Sequence, residues 1–172
     1  YAIAKLYLKK TDILFNKKIN YIRFRFTIIQ SDKMKIKQIY FKGFEEYEYG
    51  NRTSGNKKID ISGINHDTNT SINNINHCIN GNDNDDVDFS DYSGGNLIDI
   101  YCYFKHSKNI NKLKEIIIKG SVFGALDACD IFYQYDDDLR WIKLNDNEVY
   151  RNKNNDKISF KIDIVNYCYT SW

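Results

Sequence analysis

Cys129, Asp130, Trp141, Asn145 and Asp146 fall in one stretch, GALDACDIFYQYDDDLRWIKLNDNEV, from Gly124 to Val149. The chemistry such a set would serve is attack by a thiolate. That chemistry needs a general base beside the sulfur and a third group that orients the base. Histidine suits the base because it titrates near neutrality. The residue beside Cys129 is the acidic Asp130. An ionised aspartate only accepts hydrogen bonds, and it could return a proton to a leaving amine near pH 7 only with a pKa raised by several units. Cys129 adjoins Asp130, but neighbours on a strand point to opposite faces. The stretch therefore holds a thiol and carboxylates but no working catalytic set.

The remaining candidates are weaker. His66 and His77 lie in a polar segment with Asp83, Asp85 and Asp86. Oxygen-rich acidic loops bind calcium, but the spacing is not that of an EF-hand, and no metal or other cofactor is assigned. Asp136-Asp137-Asp138 reads as a turn. Arg23 and Arg25 alternate with aromatics, which fits stacking on nucleic acid or, more simply, a half-exposed strand face. Trp141 is expected in the core with its N–H bonded. Asn51-Arg-Thr and Asn69-Thr-Ser are glycosylation acceptors if the chain is secreted. Cys78, Cys102, Cys129 and Cys168 form no C-x-x-C pair, which argues against zinc. Three of them sit in apolar runs and read as buried thiols; two disulfides are the alternative.

Strands must position these residues. Ile19 to Gln30 alternates Ile22, Phe24, Phe26 and Ile28 with Arg23, Arg25 and Thr27, the period of a half-buried strand. Met34 to Phe44 follows after a Ser31-Asp-Lys turn, and the two are expected to form a hairpin. Tyr1 to Lys10 reads as a strand or short helix. Residues 51–91 are Asn-rich and polar and read as a long, partly disordered loop insertion. Leu97 to His106, Lys112 to Gly120, Ala128 to Tyr135, Arg140 to Asn145 and Lys157 to Tyr169 complete a set of strands. The expected class is mostly β (α+β with few helices), a twisted antiparallel sheet with a long Asn-rich loop insertion.

The bulk properties bound the reading. The 172 residues make one domain or the C-terminal part of a larger one, and 42% apolar residues are enough for a core. A net charge of +2 gives no electrostatic case for nucleic acid. No run approaches the ~18 apolar residues of a membrane span. The chain has no proline, which fits the coding bias of an AT-rich genome, so turns must be read from Gly, Asn and Asp.

The order of these pieces resembles the C-terminal part of the catalytic domain of the ubiquitin-specific proteases, a cysteine peptidase family. Trp141-Ile-Lys-Leu-Asn-Asp with Val149 is similar to that family's final box, and Asp130 stands eleven residues before Trp141, where the catalytic histidine belongs. Tyr21-Ile-Arg-Phe and Phe41-Lys-Gly-Phe-Glu occupy the places of two earlier strand motifs, with Lys42-Gly43 in place of a proline step. Ile98 to Lys108 is similar to a Tyr-x-Leu strand running into His-x-Gly. The resemblance implies a pseudoenzyme: Asp130, Asn145 and Asp146 mark vestigial catalytic positions, and Trp141 and His106 are binding positions. It implies a protein partner, with ubiquitin the candidate, in the cytoplasm or nucleus. The family's nucleophile box, Gly-Asn-Thr-Cys, is not in this sequence. The alternative is a secreted or cell-surface β-sandwich binding module stabilised by disulfides.

Overall fold

The computed structural model describes residues 18–28, 34–44, 56–67, 74–88, 97–109, 112–123, 126–144 and 149–162. Its strands are β1 (Lys18–Ile28), β2 (Lys35–Gly43), β3 (Lys57–Lys58), β4 (Ile61–Asp67), β5 (Val87–Asp88), β6 (Leu97–Asn109), β7 (Leu113–Ser121), β8 (Leu126–Tyr135), β9 (Ile142–Lys143), β10 (Val149–Lys153) and β11 (Lys157–Ile162). One short 3-10 turn, Ile75–Ile79, lies between β4 and β5. The class is mostly β, and among the described residues every pairing is antiparallel.

The strands form two sheets. The first runs β4-β6-β1-β8-β9; the second runs β10-β11-β7-β2-β3, with β5 also pairing β2. One apolar core joins them. Ile22, Phe24 and Phe26 of β1 and Ile98, Ile100 and Cys102 of β6 face Ile36, Ile39 and Phe41 of β2 and Ile116 and Ile118 of β7, all buried. Phe24 and Phe41 meet across the gap at 6.0 Å between ring centroids, and Phe41 meets Phe104 at 5.2 Å. Side chains alternate across a strand, so each sheet turns one face to this core; on the other phase of the second sheet Ile117 and Ser159 are buried as well.

This arrangement corrects the expected hairpin. β1 pairs with β6 and β8, while β2 pairs with β7, so the two strands lie in different sheets. Each buries its apolar face against the other's across the core, and alternation along a strand cannot tell that arrangement from edge-to-edge pairing.

Within the expected loop insertion at 51–91, the described residues 56–67 and 74–88 carry secondary structure. They hold β3, β4, the 3-10 turn and β5. Sparse anchors achieve this: Ile59, Ile64, Cys78 and Val87 are all buried in the common core. A buried polar residue of β2, Gln38, holds the stretch after the turn. Its Nε2 lies 2.6 Å from the His77 carbonyl, 2.8 Å from Asn80 Oδ1 and 2.9 Å from the Asn82 carbonyl. Its Oε1 accepts from the Gly81 amide at 2.9 Å. One glutamine thus replaces the missing hydrophobic payload of an Asn-rich segment.

Candidate functional site

The outer face of the first sheet carries large side chains where a solvated sheet usually carries small polar ones. β1 sets the pattern. Its register breaks between Ile19 and Tyr21 against both neighbours, and Ile19 and Ile22 are both buried. After that irregularity Tyr21, Arg23, Arg25 and Thr27 all fall on the outward phase. Cross-strand register then builds three rows. Tyr103, Tyr21 and Gln134 form the first; Tyr101, Arg23 and Phe132 the second; Asp99, Arg25 and Asp130 the third. β9 adds Lys143 opposite Phe132, and Trp141 precedes it.

The aromatic rings converge. Tyr21 meets Tyr103 edge-on at 4.9 Å and 84°. Trp141 lies 5.6 Å from Tyr101 at 48° and 6.5 Å from Tyr21 at 66°. Gly63 of β4 is opposite Tyr103, and a Cβ there would sit 3.2 Å from the ring, so glycine leaves the ring its place. Arg23 is at the centre. Its guanidinium carbon is 4.2 Å from the Phe132 ring centre and 4.7 Å from that of Trp141. Such contacts are worth about 0.5–1 kcal/mol each when exposed and more when desolvated. Arg23 Nε is buried with no hydrogen-bond partner.

The third row is ionic. Arg25 donates to both oxygens of Asp99, at 2.8 and 3.0 Å. That pairing raises the Arg25 pKa above its ordinary value. Asp130 lies 3.4 Å from the Lys143 ammonium. Cys129, next in sequence, is buried on the inner face, as strand alternation requires. Asp130 is therefore half of a surface ion pair on the opposite side of the strand from that thiol.

The other sequence candidates separate. Trp141 corrects the expectation of a core residue: it is half-buried on this outer face, because it enters the short edge strand β9 from the turn and the inward-facing Leu144 is buried in its stead. Asn145, Asp146, Cys168 and both glycosylation acceptors lie outside the described residues. His106 is exposed near the far end of β6. It lines a recess of about 130 Å³ with Lys57, Lys58, Asp60 and Lys105. His106 is five positions along β6 from Tyr101, the ring that Trp141 meets, roughly 17 Å at about 3.3 Å per residue. Trp141 and His106 thus belong to different places.

The calcium candidates are engaged one by one. Asp83 accepts from the Tyr40 hydroxyl at 2.6 Å and lies 3.4 Å from the Lys119 ammonium; the tyrosine bond leads in lowering its pKa. Burial and that same bond push the Tyr40 hydroxyl up to about 12. Asp85 accepts from Asn80, and Asp86 faces Lys35 at 3.8 Å. Among the described residues no three potential ligands gather around a common point. Cys78 and Cys102 are buried free thiols, so the two-disulfide arrangement is not formed. Burial pushes the Cys78 thiol up to about 12 and Cys102 higher still.

No family model, curated sequence or solved structure matches this chain. Among the described residues no helix is long and apolar enough to cross a membrane.

Sequence reasoning missed Tyr101, Tyr103 and Phe132 as members of the cluster that holds Trp141 and Arg23. The signal was there: each occupies the polar phase of its strand, where aromatics are unusual. Only the register of β6 and β8 on β1 brings them together.

Proposed function

We propose that this chain is a non-enzymatic binding module that docks a protein partner on the outer face of its first sheet. The observation that carries the proposal is the cluster of Trp141, Tyr101, Tyr21, Tyr103 and Phe132 around Arg23. Trp, Tyr and Arg are the residues that dominate protein interfaces. Ring geometry separates this reading from sugar binding. A sugar face stacks on a flat aromatic platform, whereas these rings meet at 48° to 84°. The row beside them holds Asp99 and Asp130, which disfavours a polyphosphate backbone.

Both readings of the sequence converge on binding. The packed sheets support a β-sandwich module, though without its two disulfides. The resemblance to a degenerate ubiquitin-specific protease supports a protein partner and names ubiquitin as the first to try. On that reading Asp130, tied to Lys143, does no proton transfer. A ubiquitin–fluorophore conjugate incubated with this chain should release no fluorophore, and measurable turnover would overturn the non-enzymatic assignment.

The docking face is tested by panning a randomised peptide library on the wild-type chain and on Trp141→Ala in parallel. Recovery of sequences that bind the first and not the second is expected. Identical pools from both would refute it.

A further inference from the structure

Across the rows that β6, β1, β8 and β9 form, three cations, Arg23, Arg25 and Lys143, meet two carboxylates, Asp99 and Asp130. Asp99 is taken by two nitrogens of Arg25, Nε and Nη2, and Asp130 by Lys143. In these three rows that leaves the guanidinium of Arg23 without a carboxylate. It is held between Phe132 and Trp141, its Nε shielded from water and unbonded. A charge stripped of water on its ring-facing sides costs free energy that a matching anion recovers. The two rings also fix the plane of the fork, so little side-chain entropy remains to be lost on pairing.

Resting on the docking reading above, we infer that Arg23 is the specificity determinant of this surface. It selects a partner segment that presents an Asp or Glu carboxylate flanked by apolar residues. The carboxylate pairs with the planar guanidinium, and the flanks lie on Tyr101, Trp141 and Phe132. A carboxylate fits better than a phosphate. It brings one negative charge to one surplus positive charge, whereas a phosphate dianion would face Asp99 and Asp130 in the next row with its second charge unmatched.

The test uses the full chain and one peptide framework recovered by panning, synthesised with Asp, Glu, Asn, Gln or phosphoserine at its acidic position. The wild-type chain should prefer the carboxylates over their amides by about tenfold or more. Arg23→Met should bring that ratio close to one. Arg23→Lys, which keeps the charge and loses the fork, should lose most of it. Should Arg23→Met fail to fold, the wild-type ratio and Arg23→Lys still decide.

Peptides that need Trp141 but bind equally as acid and amide would overturn the inference and leave the docking face standing. Preference for phosphoserine over Glu would also overturn it. Loss of all Trp141-dependent binding would remove both.

Discussion

Gln38→Glu is the sharpest probe of how this chain holds an Asn-rich segment in place. Gln38 is fully buried. Three oxygens, those of His77, Asn80 and Asn82, lie within 2.9 Å of its Nε2. An amide nitrogen has two hydrogens, so two of the three are served at once, and Oε1 adds the bond from Gly81. Three buried bonds at about 1 kcal/mol each put the site near 3 kcal/mol. Truncation to Ala also removes one buried methylene at ~0.8 kcal/mol, for an expected cost of about 4 kcal/mol. Some of that is recovered because the exposed Asn80 and Asn82 can turn to water.

The glutamate variant keeps the volume and removes the donor. An ionised carboxylate facing three acceptor oxygens is repelled, so its folded-state pKa rises above the unfolded value. The sign follows. The variant should come closest to wild type below the unfolded pKa of about 4.3 and lose stability as pH rises toward the elevated folded pKa. Urea unfolding followed by tryptophan fluorescence at several pH values measures this. Limited proteolysis should then cut within residues 74–86 first. Equal stability of Gln38→Glu and wild type at pH 8 would refute the reasoning.

Other outcomes follow from the same structure. Gly120→Ala would place a Cβ 2.0 Å from the Lys35 carbonyl oxygen and 2.5 Å from the Phe123 ring, so a loss of about 3 kcal/mol or more is expected in a thermal melt. Cys78 titrates at about 12 in the fold against an ordinary thiol's 9.0, and Tyr40 at about 12 against 10.0. Their contribution to stability is intact below those ordinary values and is lost as pH climbs toward 12, so denaturant midpoints should fall above pH 9. Cys78→Ala with Tyr40→Phe should flatten that decline.

The sequence made the strands legible because a half-buried strand writes its period in its residues. Ile22, Phe24 and Phe26 against Arg23 and Arg25 could be read directly, and so could the burial of Cys129 opposite Asp130. Which strands share a sheet could not. The pattern of β1 is satisfied equally by a neighbour at its edge or by a sheet across the core, and only the second occurs with β2. The order in residues 56–67 and 74–88 was hidden for another reason. It rests on four scattered apolar anchors and on Gln38, a residue type that usually signals solvent. Trp141 was visible as important and misplaced. Local sequence favours burying a tryptophan, but its neighbours Tyr101 and Arg23 come from strands 40 and 118 positions away in the chain.

The account stands on the outer face of the first sheet. Its most direct measurement is the affinity of a panned peptide for Tyr101→Ala and Trp141→Ala, beside Lys161→Ala on the exposed part of β11 as a control. Each aromatic truncation should cost about 2 kcal/mol of binding, roughly thirtyfold in Kd, beside a smaller loss of folding stability from the ring contacts it removes. Lys161→Ala should cost nothing. Equal affinity across all three variants would place binding elsewhere and contradict the account.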